Sequence, residues 1–116
     1  MNILTLAIWS IVLGWNAPTF NADNTPLNDL AGFNVYEGAT SNTVTTLLTT
    51  MTNGVSQVPS YGDAYQYQFE PSSNDLWFAV SAIDMSGNES VLSPAVHWLD
   101  GPPGAPTARI MITIQQ

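Results

Sequence analysis

Few residues of this 116-residue chain have side chains that could do covalent or metal chemistry. The chain has one histidine, His97, and no cysteine. A Ser–His–Asp nucleophilic site needs only one histidine, so the composition allows such a site, but the G-x-S-x-G motif that often presents the serine is missing. The same counts exclude thiolate metal centres and centres built from several histidines. We therefore predict that the chain is not an enzyme.

Two groups of acidic and amide side chains carry the oxygen atoms that calcium prefers as ligands. They are Asp23, Asn24, Asn28 and Asp29 in one segment, and Asp84, Asn88 and Glu89 in another. The first group lacks the spacing of an EF-hand loop, and residues of these types are also ordinary turn formers. We interpret the second as a turn in which Asn88 or Gly87 takes the unusual backbone angle and Asp84 or Ser86 caps it. No metal site and no cofactor is predicted.

The charge of the chain excludes several classes of partner. Nine acids face a single base, Arg109, which gives a formal net charge of -8. A chain with one cation cannot neutralise a run of phosphates, so nucleic acid and anionic membrane surfaces are excluded as partners. The apolar run over residues 3–13 is too short to span a bilayer. It also lacks the basic start and small-residue cleavage site of a signal peptide, so we interpret it as strands, with a cleaved signal as the alternative.

The spacing of apolar residues predicts β-strands and no helix. Alternation with a period of two, together with many β-branched and aromatic residues, is typical of half-buried strands. The strands are predicted over residues 3–8, 11–15, 32–38, 43–52, 65–69, 76–84, 90–99 and 109–114. Turn-forming residues separate them throughout. This pattern predicts an antiparallel β-sandwich of about seven strands plus an extra C-terminal strand.

Three segments together resemble the fibronectin type III domain, as found in bacteriophage virion proteins and bacterial surface proteins. They read SIVLGWNAPT, TPLNDLAGFNVYEG and LWFAVSAIDMSGNESVLSP, and begin at residues 10, 25 and 76. One departure is Leu76, where the family usually has the tyrosine of its corner motif. The resemblance implies a fibronectin type III-like, immunoglobulin-like sandwich over residues 1–100. A Pro/Gly linker (101–106) and a docking strand (107–116) follow it.

The strand register of this family divides the aromatic residues between core and surface. Trp15, Phe33, Phe78 and Trp98 are expected in the core. On the outer face of one sheet we expect Tyr36, Trp77 and His97, which makes them candidate partner contacts on which a sugar could also stack. The alternative is that the linker or the terminal strand covers these rings.

The C-terminal segment is a second candidate contact. An apolar strand at a chain end does not remain a free edge in water, so it either folds back onto the sandwich or pairs with another subunit. Its candidate contact residues are Ile110, Met111, Ile112 and Ile114.

Fold and composition together suggest a structural or interaction protein. Our leading expectation is a phage virion component, in the form of a capsid decoration, head fibre or tail protein at the virion surface. Its partners would be the major capsid or tail protein, copies of itself, and host-surface glycans. The alternative is a secreted bacterial adhesion or carbohydrate-binding module of the fibronectin type III family, located outside the cell.

Overall fold

A computed structural model describes residues 10–52, 54–55 and 64–100. Their regular elements are six β-strands. In chain order these are β1 (Ile11–Asn16), β2 (Leu30–Gly38), β3 (Thr46–Met51), β4 (Ala64–Phe69), β5 (Asp75–Asp84) and β6 (Val96–Leu99). The described part of the chain offers no helix that could cross a bilayer.

The strands form two antiparallel sheets that face each other. One sheet pairs β1 with β4, and the other has the strand order β3-β2-β5-β6. The chain therefore crosses between the sheets after β1, after β3 and after β4, as in Greek-key sandwiches. This confirms the predicted fold class, an antiparallel β-sandwich of the fibronectin type III and immunoglobulin type.

The core lies where the apolar alternation of each strand places it. In β5, Leu76, Phe78, Val80 and Ala82 are buried in a single cluster. Successive side chains of a strand point to opposite faces, so one slip of register would expose all four. The predicted core residues Trp15, Phe33, Phe78 and Trp98 are each at most 2% exposed, which confirms that prediction.

Aromatic rings connect the two sheets across this core. The Phe33 ring of β2 lies 5.4 Å from the Trp15 ring of β1 and 4.8 Å from the Tyr65 ring of β4, measured between centroids. Farther along, Phe69 of β4 meets Phe78 of β5 edge to face at 5.3 Å. Such pairs contribute about 0.5–1.5 kcal/mol beyond the area they bury.

The predicted strand over residues 90–99 is wrong for its first six residues, since β6 begins only at Val96. Residues before it still follow β5, but serine hydroxyls replace part of the backbone ladder. Ser90 Oγ accepts from the Ala82 amide at 2.9 Å, and Ser93 Oγ accepts from the Val80 amide at 3.0 Å. Pro94 has no amide hydrogen, so regular pairing resumes only after it.

Several predicted features lie outside the described residues. These are the strand over residues 3–8, the linker over 101–106 and the docking strand over 107–116. The domain boundaries that depend on them stay predictions. The tyrosine-corner position can be described, and its replacement, Leu76, is buried in the core.

Gly38 provides a direct test of the packing beside β2. A Cβ built on this residue would lie 2.1 Å from the Thr43 carbonyl oxygen and 2.7 Å from the Val44 Cα, both backbone atoms. Gly38→Ala is therefore expected to lower the free energy of unfolding by about 1–3 kcal/mol, as overpacking does. Urea denaturation measures the change. The control is Ala39→Gly, which removes one methyl group at the neighbouring, exposed position. An equal loss of unfolding free energy in both variants would contradict the argument.

Candidate functional site

The outer face of the four-stranded sheet carries the three described contact candidates, Tyr36, Trp77 and His97. Trp77 of β5 lies directly opposite His97 of β6, and Tyr36 of β2 lies opposite Ala79. Because Phe33 and Val35 point into the core, alternation turns Tyr36 outward. The structure therefore places all three on one face, as expected, but it divides them between two separate clusters.

The first cluster is a ring stack at the edge of the sheet. The rings of Trp77 and His97 are nearly parallel, at 12°, with centroids 4.4 Å apart. His97 Nε2 lies within hydrogen-bonding distance of Asp75 Oδ1, at 2.6 Å. The His97 and Asp75 side chains are 39% and 56% exposed. An aromatic surface and a carboxylate oxygen thus lie side by side in contact with solvent.

This arrangement suits binding better than nucleophilic catalysis. In a Ser–His–Asp site, one ring nitrogen faces the carboxylate and the other accepts the serine proton. His97 has the carboxylate partner, but in the described part of the chain no serine hydroxyl hydrogen-bonds to its ring. A flat ring next to a hydrogen-bond acceptor is, in contrast, a surface on which a ligand with both apolar and hydroxyl faces can lie.

The second cluster is a hydrogen-bond network centred on the carboxylate of Glu89. Its Oε2 atom accepts from the Tyr36 hydroxyl at 2.5 Å, from the Ser81 hydroxyl at 2.5 Å and from Asn34 Nδ2 at 3.1 Å. The amide oxygen of Asn34 in turn accepts from the Thr50 hydroxyl at 2.6 Å. The network thus joins β3, β2, β5 and the segment after β5.

The network shifts the pKa values of two of its members in opposite directions. Hydrogen bonds from Ser81, Tyr36 and Asn34 stabilise the ionised carboxylate and hold the pKa of Glu89 below its usual range. Donation to that carboxylate keeps the Tyr36 hydroxyl protonated and raises the pKa of Tyr36. Among the residues that the structure describes, hydrogen-bond donors and no basic side chain stabilise this charge.

Sequence reasoning did not find this network. It grouped Glu89 with Asp84 and Asn88 as one turn, whereas its side chain reaches back across the sheet face. One local indication was available, because Ser81 is a polar residue on the outward side of an otherwise apolar strand. In the structure its side chain is buried, with an exposure of 1%. A buried hydroxyl needs a partner, and a carboxylate after the following turn is within reach.

The group around Asp84 forms the turn that we interpreted, and Asp23 and Asn24 of the other group lie in a turn as well. Asp84 Oδ1 accepts from the amides of Ser86 and Asn88, and Gly87 takes the positive φ of 88°. These bonds lower the pKa of Asp84, the side-chain bond from Asn88 contributing most. Asp23 likewise accepts from Thr25, which lowers the pKa of Asp23. No cluster of three potential metal ligands occurs among the described residues.

Comparison with known proteins gives a similarity to one named enzyme. Exoglucanase B of Cellulomonas fimi is 37% identical to this chain over 87 residues. The match takes in 75% of this chain but only 6% of the enzyme. No protein-family model matches the sequence. No solved structure matches it either.

The similarity bears on the two functions expected from the sequence. It connects the sandwich with a named bacterial protein whose name describes an enzyme acting on glucans. This favours the carbohydrate-related module that was the alternative expectation. It gives no support to the virion component, the capsid decoration or the location at a virion surface.

The lowered pKa of Glu89 predicts a dependence of stability on pH. A depressed folded-state pKa contributes stability above the unfolded-state pKa, and that stability is lost as the pH falls through the folded-state value. We expect Glu89→Gln to lower the free energy of unfolding at pH 7 by about 1 kcal/mol, since an exposed network is screened. The variant should also lose less stability on acidification than the wild type.

Urea denaturation at a series of pH values measures both effects. Glu70→Gln is the matched control, because Glu70 is exposed and makes no hydrogen bond in the described part of the chain. Parallel pH profiles for the wild type and Glu89→Gln would contradict the assignment.

Proposed function

We propose that this chain is a non-catalytic, fibronectin type III-like module that works outside a bacterial cell and contacts carbohydrate. The observation that carries the proposal is the similarity of 87 residues to a segment of Exoglucanase B. A β-sandwich domain of this type has about 100 residues, so the shared sequence has the size of one domain and not of a whole enzyme. Polymeric glucans are too large to enter a cell, which supports the extracellular location.

The state of the carboxyl groups supports a non-catalytic role. Glycoside hydrolysis uses two carboxyl groups, one of which acts as an acid and needs a raised pKa. In this chain hydrogen bonds lower the pKa values of Asp23, Asp84 and Glu89. All three therefore remain ionised at neutral pH and serve turns or the sheet face, which is the opposite of what proton donation requires.

The stack of Trp77 and His97 is the surface that we assign to carbohydrate. Sugar rings have apolar C–H faces that pack on aromatic rings and hydroxyl groups that donate to carboxylates. Trp77 is half-buried, which fixes its ring, and the neighbouring Asp75 Oδ2 takes no hydrogen bond in the described part of the chain. Tyr36, the third candidate, has its hydroxyl engaged by Glu89 and contributes only its ring.

The binding surface is tested with insoluble glucans, using cellulose and starch in separate experiments. We expect the wild type to bind one of them and Trp77→Ala to weaken that binding by about tenfold or more, as loss of a central aromatic contact does. Sedimentation with the polymer measures the bound fraction. Leu47→Ala is the matched control, because Leu47 is exposed and lies opposite Tyr36 on β3 of the same sheet.

Equal binding by the wild type and Trp77→Ala would overturn the assignment of the surface. Absence of binding to either glucan would overturn the carbohydrate contact itself. Urea denaturation of Trp77→Ala verifies that the variant is folded before it is compared.

The non-catalytic role is tested separately by incubation with the same glucans. We expect no release of reducing sugar by the wild type, because a proton donor needs a raised pKa, whereas hydrogen bonds lower the pKa values of Asp23, Asp84 and Glu89. A reducing-end assay over days measures this. Product formation that disappears in His97→Ala would contradict the proposal and indicate a hydrolase.

A further inference from the structure

A groove of about 410 Å³ lies at the end of the sandwich where β5 finishes. It runs between the loop after β1 and the segment after β5, and we call it the Phe20 groove. Buried Leu27, Leu30 and Ala82 line its interior, whereas the lining residues Phe20 and Val91 are 51% and 83% exposed. Exposed apolar side chains around a concave surface are typical of a site that another molecule covers.

The polar lining of the Phe20 groove has one sign of charge. Asp23, Asp84 and Glu89 all contribute to it, and among the described residues of the lining none is basic. Two of these carboxylates keep an acceptor free, since Asp23 Oδ2 and Glu89 Oε1 receive no hydrogen bond in the described part of the chain. The groove therefore complements a segment that is apolar and carries a positive charge.

One segment of the chain has that chemistry. Arg109 is the sole basic residue of the sequence, and it directly precedes the apolar Ile110, Met111 and Ile112. Arginine presents five donors in a planar fork that suits carboxylate acceptors. The apolar residues beside it match the buried lining of the groove, and their burial supplies most of the affinity, because exposed ion pairs contribute little.

We propose that residues 107–116 of one copy of this chain bind in the Phe20 groove of a second copy, with Arg109 on the groove's carboxylates. The contact is head-to-tail, so each copy has one segment to offer and one groove to fill. Such an interface continues from copy to copy unless the rotation closes a ring. This association is independent of the carbohydrate contact proposed above.

The length of the chain favours a second copy over the same copy. Asp100 donates its amide to the Asn74 carbonyl at 2.8 Å, next to the start of β5, whereas the groove lies at the end of β5. The ten residues of β5 span about 30 Å. Nine residues reach at most about 30 Å from Asp100 to Arg109 even when the chain is fully extended, so the span is only just equal to the distance required. The groove of a neighbour carries no such restriction.

Sedimentation velocity of the full chain over a range of concentrations tests the association. We expect the wild type to associate with increasing concentration, and Arg109→Glu and Val91→Asp each to weaken the association by about tenfold or more. Leu47→Asp is the control, because it adds the same charge at an exposed apolar position that is not part of the groove lining, and it should leave association unchanged. A wild type that stays monomeric at its highest soluble concentration would overturn the proposal, as would equal association in Arg109→Glu.

Disulfide trapping identifies the contact, since the chain has no cysteine of its own. A Val91→Cys protein is mixed with Ile110→Cys or Ile112→Cys protein under mild oxidation. The expected product is a mixed dimer with at least one of these partners and none with Leu47→Cys. Failure with both, or equal yield with Leu47→Cys, would contradict the contact. If a Val91→Cys, Ile110→Cys double variant forms only an intramolecular disulfide, the segment lies in the groove of its own copy, and the proposal is overturned.

Two other occupants of the groove, a sugar and a different protein, would give different experimental results. Cellohexaose that binds the wild type but not Phe20→Ala, in the absence of self-association, would make the groove a sugar site. That result would not affect the Trp77 surface, which the Trp77→Ala variant tests separately. A different protein held in the groove by a monomeric chain would likewise overturn self-association.

Discussion

The contact of Phe33 with Trp15 and Tyr65 is the interaction on which the rest of the structure depends. These rings come from both sheets, and together they bring the two apolar faces into register. Only 9% of the residues are charged and there is no cysteine, so neither disulfides nor a dense set of ion pairs supports the fold. Burial and backbone pairing therefore provide the stability. The inward direction of Phe33 also fixes the outward direction of Asn34 and Tyr36, so the packing of the core decides what the surface presents.

The features that were predictable from the sequence are those that a strand specifies locally. Alternation with a period of two tells which residues share a face, and the register of the fibronectin type III family, which the sequence resembles, tells which face is buried. Together they placed Trp98 in the core and Trp77 and His97 on the surface. The start of β6 was not predictable in the same way. Ser90 and Ser93 use side-chain hydroxyls in place of backbone acceptors, and a serine in a sequence gives no sign of which of its oxygens will be used.

The Glu89 network was not predictable because it is not local. Its carboxylate is 53 residues from Tyr36 and 55 residues from Asn34 along the chain. Only the antiparallel pairing of β2 with β5, followed by the return of the chain at Gly87, brings these side chains together. The Phe20 groove is of the same kind, since its walls come from two connections that are distant in sequence. The pairing of strands, and not the pattern within a strand, creates such sites.

The two clusters on the outer sheet face have different capacities for binding because their polar groups are satisfied to different degrees. Around Glu89, three donors already surround Oε2, so a ligand that bound this oxygen would have to replace bonds that hold four segments together. Around Trp77 the ring and the carboxylate of Asp75 face solvent, so a ligand adds contacts without removing any. Trp77 and the groove residue Ile83 are six residues apart on β5, or about 20 Å. A head-to-tail line of copies joined through the groove would therefore leave each Trp77 surface open, and such repetition would convert a weak contact with a polymer into a strong one.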